Sequence, residues 1–187
     1  MSGFRPRLHH LPGLAAILLL AACASAPRPA PPPSAQAAGA PVAAPGTVEH
    51  AVANLAAASG SLVSGRMQLS QEAAGVRVRG QVGGLVRNGA HGLQVHERGD
   101  CSAVDARSAG RYYDPQGGAG RDGAVGPDPG RIIAGPDGVA TVDLLVAGAV
   151  LGGGAGNDIL GRSLLVLGAT PGAISARVAC GVITAAQ

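Results

Sequence analysis

The chain predicts an all-β domain of eight short strands, arranged as a sandwich or a flattened barrel. Residues 48–187 contain 27 glycines, their apolar segments are short and separated by turn-forming residues, and no stretch keeps a helical periodicity. The clearest strand is 76–82, where valines alternate with Arg77, Arg79 and Gln81. This alternation is typical of an antiparallel strand with one face buried and one face in water.

Seven further segments have the same length and character. The eight predicted strands are residues 48–57, 62–71, 76–82, 91–97, 131–134, 139–146, 163–167 and 177–183. Asp137-Gly138 predicts a hairpin-type turn before the sixth of them. The glycine-rich stretches 117–126 and 152–156 are predicted loops. Because neither lies between a strand and a helix, they do not predict a phosphate-binding loop.

Residues 1–22 have the features of a lipoprotein signal peptide. Arg5 and Arg7 precede an apolar run over 11–22, which is too short to cross a bilayer as a mature helix. The run ends in Leu-Ala-Ala-Cys at Cys23, which resembles the bacterial lipobox, where the cysteine becomes the lipidated first residue. An ordinary cleavage site after small residues is the alternative.

Residues 23–47 predict a lipidated Cys23 followed by a tether. Positions 24–46 hold seven prolines and nine alanines with a single charge, a composition that favours extended conformations and does not form a core. Ser25 lies at the second position after Cys23, where there is no aspartate, and this resembles the pattern of lipoproteins of the outer membrane. We therefore expect a periplasmic domain, residues 48–187, whose partner is the membrane that holds the lipid on Cys23.

The charge distribution argues against nucleic acid as a partner. The basic residues of residues 48–187 are 11 arginines, and they are balanced by 11 acidic residues. The only aromatic side chains there are Tyr112 and Tyr113. Nucleic-acid-binding domains need a basic surface and stacking side chains, so the sequence predicts no such binding.

The expected periplasmic location would place the cysteines in an oxidising compartment, where disulfides form. With Cys23 taken by lipid, Cys101 and Cys180 remain as one pair, and a disulfide is the simplest prediction. A metal or redox pair is the alternative, although no Cys-x-x-Cys spacing supports it.

Six motifs then occur in one order along the chain. They are HGLQVHE at 91–97, GDC at 99–101, SAGRYYDP at 108–115, DGVA at 137–140, GRSL at 161–164 and ACGVI at 179–183. Over residues 48–187 this order and spacing resembles the copper/zinc superoxide dismutases. The resemblance implies an eight-stranded Greek-key β-barrel or sandwich, and a disulfide between the same two cysteines.

The resemblance also implies a metal site, and most of its histidines are missing. The first copper ligand falls on Gln94 and the second is kept as His96. The bridging histidine falls on Tyr112, and the last copper ligand on Leu167. A copper site of this family requires several imidazoles, whereas only His91 and His96 follow His50 in this chain. His91 matches a structural histidine of the family.

The histidines of the zinc site that the resemblance implies are also missing. Two further histidines of the family fall near Ala124 and Val125, and only a carboxylate is kept, as Asp128. An ordinary loop carboxylate is the alternative for Asp128. The segment 168–176 carries no charge, whereas the family has a longer charged loop there that steers the anionic substrate.

The remaining positions have structural interpretations. Arg177 matches the arginine that guides superoxide beside copper, and we expect it instead to hydrogen-bond the loop around Cys101. His96 is expected to be a packed, hydrogen-bonded histidine. Tyr112, Tyr113 and Leu167 are expected to fill the former metal cavity, because packed side chains avoid unpaired buried donors.

Two hypotheses of function follow from the resemblance. In the first, the chain is a superoxide dismutase-like envelope lipoprotein without metal cofactor or dismutation, a non-catalytic binding or structural module. In the second, it is a divergent copper-dependent dismutase or copper-binding protein that uses His96, Tyr112, Asp128 and a neighbouring subunit. Small-ligand or haem binding in the remodelled pocket is a third possibility without a sequence signal, and no oligomeric state is predicted.

Overall fold

The computed structural model describes residues 45–119, 130–168 and 176–187, and this part of the chain contains ten strands. Their bounds are β1 His50–Ala57, β2 Ser64–Glu72, β3 Gly75–Gly83, β4 Ala90–His96, β5 Tyr113–Asp114, β6 Gly118–Ala119, β7 Arg131–Ile133, β8 Ala140–Ala147, β9 Ser163–Leu167 and β10 Arg177–Ala185. A single 3₁₀ turn at Arg107–Ala109 lies between β4 and β5.

Eight of the strands form one antiparallel sheet in the order β7-β4-β9-β10-β1-β2-β3-β8. β1, β2 and β3 follow one another as a meander, whereas the connections from β3 to β4 and from β8 to β9 join strands that are not neighbours. Such crossovers are typical of Greek-key folds. The predicted all-β, eight-stranded barrel is confirmed.

Side-chain alternation decides which face of each strand is buried. In β3, Val76, Val78 and Val82 point into the core. The intervening Arg77 lies on the outer surface, where its guanidinium is 3.4 Å from Glu72 and 3.3 Å from Asp143 across the neighbouring strands. The barrel interior is therefore apolar and its outside is charged, as the pattern of 76–82 predicts.

One apolar cluster fills the barrel. Its largest fully buried side chains come from several strands and from the loop after β8, and they are Met67, Leu69, Leu151, Ile159, Leu164, Ile183, Val76, Val78, Val82 and Val166. A second, smaller cluster lies outside the barrel and consists of Ala58, Ala106, Ala109, Leu165 and Cys180, with Cys101 packed against it.

The strand predictions hold, with shifts of a few residues at several strand ends and two local corrections. β1 begins at His50 and not at residue 48, because the backbone N–H groups of Thr47 and Val48 both donate to the carbonyl of Leu151, at 2.8 and 3.0 Å. The stretch 117–126 is not wholly a loop, since Gly118 pairs with Asp114 in the short β5–β6 hairpin. That hairpin was not predicted, because two-residue strands leave no periodicity to detect.

The turn predicted at Asp137-Gly138 is present, but it joins β7 and β8, which pair with β4 and β3 and not with each other, so it does not close a hairpin. Gly138 has φ +77°, and the Asp137 carboxylate accepts the N–H of Val139 at 3.1 Å. Across the three described ranges, no helix has the length and apolar character needed to span a bilayer.

Candidate functional site

The candidate site lies on the outward face of β4 and β9. In β4 and β9 the core side chains are Leu93, Val95, Leu164 and Val166. The alternate residues therefore point outward. Across the pair, Gln94 is opposite Leu165, and His96 is opposite Ser163. The folding of the strands thus puts Gln94 and His96 on one face.

His96 is buried on this face, with 4% of its surface exposed. Its Nδ1 lies 3.1 Å from the carbonyl oxygen of Gly110. Because a carbonyl can only accept, Nδ1 carries the proton and Nε2 keeps its lone pair. Nε2 is buried and has no hydrogen-bond partner among the described residues.

The charge state of His96 follows from its surroundings. Burial lowers the pKa of His96 below its ordinary value, the nearby Arg177 lowers it further, and the hydrogen bond to Gly110 and the charge of Glu97 oppose the shift. Burial is the largest cause, because an imidazolium loses more hydration than a neutral ring. His96 is therefore neutral at physiological pH.

Arg177 begins β10 beside this face, in register with Leu167. Its Nη1 donates to the carbonyl of Ala106 at 2.7 Å, and its Nη2 donates to the carbonyl of Gly110 at 2.6 Å. These are the contacts with the loop around Cys101 that the sequence predicts. The Gly110 carbonyl thus accepts from both Arg177 and His96.

Gln94 is 9% exposed and borders a cavity of about 120 Å³. The cavity is mainly apolar, and its lining includes Gln94, Tyr112, Tyr113, Asp114, Gln116, Leu93, Val95, Leu144, Val146 and Leu164. The backbone of Tyr112 also forms an isolated antiparallel bridge with His96. Both tyrosines therefore line this cavity together with core residues of the barrel, and Gln94 and Tyr112 are brought together there.

Leu167 ends β9 opposite Gly92. It packs closely on that glycine, because a Cβ on Gly92 would lie 3.3 Å from Leu167 Cδ1. Its carbonyl oxygen is 3.1 Å from Nδ1 of His91. The alkyl side chain offers no donor atom for a metal, and His91 ties β4 to β9 as the structural role of that histidine predicts.

The predicted disulfide is confirmed. Cys101 and Cys180 are joined across 79 residues of sequence, with their Cα atoms 5.7 Å apart. The disulfide draws the segment after β4 over the outward face, where Ala106 and Ala109 cover Leu165. This segment is the reason that polar residues of an outward face are buried.

Several predicted residues fall outside the described residues. These are Cys23 with the signal peptide 1–22, the zinc-loop positions Ala124, Val125 and Asp128, and most of the segment 168–176. The tether is described only from residue 45 onward.

The donor set of the described residues does not fit the copper site that the resemblance implies on this face. It offers one imidazole Nε2, from His96, whereas copper that cycles between two oxidation states needs several such donors. A neutral amide at Gln94 is a poor donor, and the Tyr112 phenol must first lose its proton. No group of three or more His, Cys, Asp or Glu side chains that could hold a metal occurs within the described ranges.

Two structural features of this face were not predicted. The first is the Gly110 carbonyl, which is identifiable only in three dimensions because a backbone acceptor leaves no signature in the sequence. The second is Ser163, which is 0% exposed and whose Oγ has no partner among the described residues. Its position opposite His96 could have been found from the register of the two predicted strands.

Glu97 and Arg162 form a further network at the end of β4. The backbone N–H of Arg111 donates to Glu97 Oε2 at 3.1 Å, and this bond is the main cause that lowers the pKa of Glu97. Nη1 of Arg162 donates to the carbonyl of Glu97 at 2.7 Å, and its guanidinium carbon lies 3.6 Å from the centroid of the Tyr113 ring. The loop before β9 is thereby fixed to the strand end.

Eight strands in this order, with a histidine strand covered by a disulfide-bonded loop, define a Greek-key barrel of the superoxide dismutase type. The family model described as copper/zinc superoxide dismutase (SODC) matches residues 63–183. The chain belongs to the copper/zinc superoxide dismutase family.

Two curated plant proteins are similar to this chain. A "Superoxide dismutase [Cu-Zn] 2" of Brassica juncea is 35% identical over 139 residues, which cover 65% of this chain and 89% of that relative. A "Superoxide dismutase [Cu-Zn] 2" of Mesembryanthemum crystallinum is 33% identical over 139 residues, which cover 65% of this chain and 86% of that relative. The similarity thus extends over nearly the whole of both relatives.

Proposed function

We propose that this family member is an envelope lipoprotein that has lost metal binding and dismutation and acts as a non-catalytic binding or structural module. The observation that carries the proposal is the donor count on the outward face. By the resemblance, three copper-ligand positions fall on Gln94, Tyr112 and Leu167, and only His96 keeps an imidazole. Dismutation alternately oxidises and reduces a bound copper, and one nitrogen donor is not enough to hold that ion in both states.

A second function has one specific observation in its favour. The Nε2 lone pair of His96 is buried, oriented by the Nδ1–Gly110 bond and without a partner among the described residues. A histidine held through its other ring nitrogen is typical of metal ligands. The alternative is therefore a divergent copper-dependent dismutase or copper-binding protein that adds non-histidine ligands such as Tyr112 and Asp128 to His96.

Copper titration of the metal-free, folded full chain separates the two. We expect no stoichiometric site by calorimetry. The matched control is the Gln94→His/Tyr112→His/Leu167→His variant, which returns three imidazoles to the face and is expected to gain copper affinity. Tight one-to-one copper in the unaltered chain, with dismutation above that of the free ion, would establish the alternative and overturn the proposal.

The proposed address is the periplasmic side of the outer membrane, with a lipid on Cys23 and a proline- and alanine-rich tether to the barrel. Metabolic labelling with a radioactive fatty acid tests it. We expect label in the unaltered chain and none in Cys23→Ser, with the protein in the outer-membrane fraction. Equal labelling of the two forms, or a labelled protein in another fraction, would contradict this address.

A further inference from the structure

The segment from Cys101 to Gly110, hereafter the disulfide loop, is attached to β10 in two ways. One attachment is the Cys101–Cys180 bond. The other is Arg177, three residues earlier on the same strand, which donates hydrogen bonds to the carbonyls of Ala106 and Gly110. A covalent and a non-covalent attachment therefore hold the same loop to the same strand.

The backbone of the disulfide loop is bent where it meets Arg177. Ala106 has φ +54° and Gly110 has φ +79°. Positive φ is unusual for alanine and is tolerated by glycine. Both carbonyls that Arg177 contacts thus belong to residues with positive φ, and the charge-assisted hydrogen bond to Ala106 offsets the strain at that alanine.

Two further contacts support the closed loop. His96 Nδ1 donates to the same Gly110 carbonyl, so β4 and β10 converge on one acceptor. On the inner side of the loop, Ala106 and Ala109 are fully buried against Leu165 and Cys180. All of these contacts are non-covalent.

We propose that Arg177 and His96 form a non-covalent latch that keeps Cys101 beside Cys180 when their disulfide is reduced, and so favours its re-formation. The oxidant is a small disulfide such as oxidised glutathione. One cysteine thiolate attacks it and releases one small thiol, and the second cysteine then displaces the other. The two cysteines are oxidised, each loses its proton, and the small disulfide is reduced to two thiols.

The physical basis is effective concentration. Two thiols held side by side react with each other far more readily than two thiols on a loose loop, because their relative motion is already restricted. The latch does not depend on whether a metal is bound, because it uses Nδ1 of His96 and leaves Nε2 untouched. It therefore holds for either function considered above.

Equilibration in glutathione redox buffers measures this effective concentration. All forms are the full chain with Cys23→Ser, so that only Cys101 and Cys180 can pair, and a metal chelator is present. Relative to this parent, we expect Arg177→Met to lower the effective concentration of the pair about tenfold or more, because two charge-assisted hydrogen bonds are lost. The control is Arg79→Met, an exposed arginine paired with Asp143 on β8, which is expected to leave the value unchanged.

Arg177→Lys keeps the charge and can reach one carbonyl, so an intermediate value is expected. If Arg177→Met does not fold, the effective concentration measured for Arg177→Lys tests the proposal in its place. A value within twofold of the parent for Arg177→Met, or for Arg177→Lys where Arg177→Met is unfolded, would overturn the proposal.

Trypsin gives a second measurement. Arg107 lies in the disulfide loop with 82% of its side chain exposed, so it is a natural cleavage site. In the reduced parent we expect slow cleavage after Arg107, and in reduced Arg177→Met about tenfold faster cleavage because the loop is no longer held. Equal rates in folded, reduced forms would show that Arg177 does not hold the loop.

Discussion

The inward and outward faces of β4 and β9 are buried to a similar degree, but different parts of the molecule bury them. Leu93 and Leu164 face inward and are covered by side chains of the whole barrel. His96 and Leu165 face outward and are covered mainly by the disulfide loop. The inward face therefore depends on the fold as a whole, whereas the outward face depends on one loop and its attachments.

The largest effect should come from removing the covalent attachment. We expect Cys180→Ser to lower the free energy of unfolding by about 4 to 5 kcal/mol in the chain-entropy account of a long loop. Urea unfolding of the full chain measures it. The Cys101→Ser/Cys180→Ser double variant controls for the free thiol, and an unchanged free energy of unfolding in both variants would contradict the expectation.

A matched pair of leucines compares the two faces directly. Leu164 and Leu165 are adjacent and equally buried, one inward and one outward. We expect Leu164→Ala to cost about 3 to 4 kcal/mol and Leu165→Ala about 2 kcal/mol, because an alanine-lined loop can collapse on the space more easily than a closed core.

Reduction of the disulfide sharpens this comparison. In a thiol reductant, the effect of Leu165→Ala should shrink as the loop loosens, while that of Leu164→Ala should persist. If both effects respond equally to reduction, the two faces are not buried independently, and the comparison fails.

Arg162 connects the inward and outward faces of β4 and β9 at one end of this strand pair. Its Nε and Nη1 donate to the carbonyls of Asp158 and Glu97, each at 2.7 Å, and it lies over the core residue Tyr113. We expect Arg162→Met to cost about 2 kcal/mol, since both hydrogen bonds and the ring contact are lost. Thermal unfolding measures it. The stability of Arg162→Lys should lie between that of the unaltered chain and that of Arg162→Met. If Arg162→Met loses as little stability as Arg79→Met, Arg162 does not bridge the two faces.

The smallest effect concerns the pH dependence of the outward face. The pKa of His96 is lowered in the folded state, mainly by burial, so the unfolded chain binds its proton first as the pH falls. The free energy of unfolding should therefore decrease as the pH drops below about 6.5, by less than about 1.4 kcal/mol per pH unit, and level off below the folded-state pKa.

His96→Asn is the matched control for this prediction. Its amide N–H can still donate to Gly110, but it does not titrate. We expect its urea-unfolding free energy to fall less than that of the unaltered chain between pH 7.5 and pH 5. Parallel curves would contradict the assignment of the effect to His96.

Much of this architecture was predictable because its signals are local or survive as motifs. The alternation in 76–82, the turn at Asp137-Gly138 and the pairing of Cys101 with Cys180 were all predicted and are confirmed. The β5–β6 hairpin was missed, because two-residue strands are defined by hydrogen bonds and not by periodicity. The role of Gly110 was also missed, since its importance lies in a backbone carbonyl that two distant side chains approach.

The sequence by itself determined the barrel, its strand pattern and the number of imidazoles available to a metal, since apolar periodicity and residue identity are properties of the chain alone. Only the tertiary structure decided which atoms meet on the outward face. There the disulfide loop brings the carbonyls of Ala106 and Gly110 to Arg177, 71 and 67 positions away, and that of Gly110 to His96, 14 positions away. Such contacts depend on the path of the backbone between the residues and not on their spacing in the sequence.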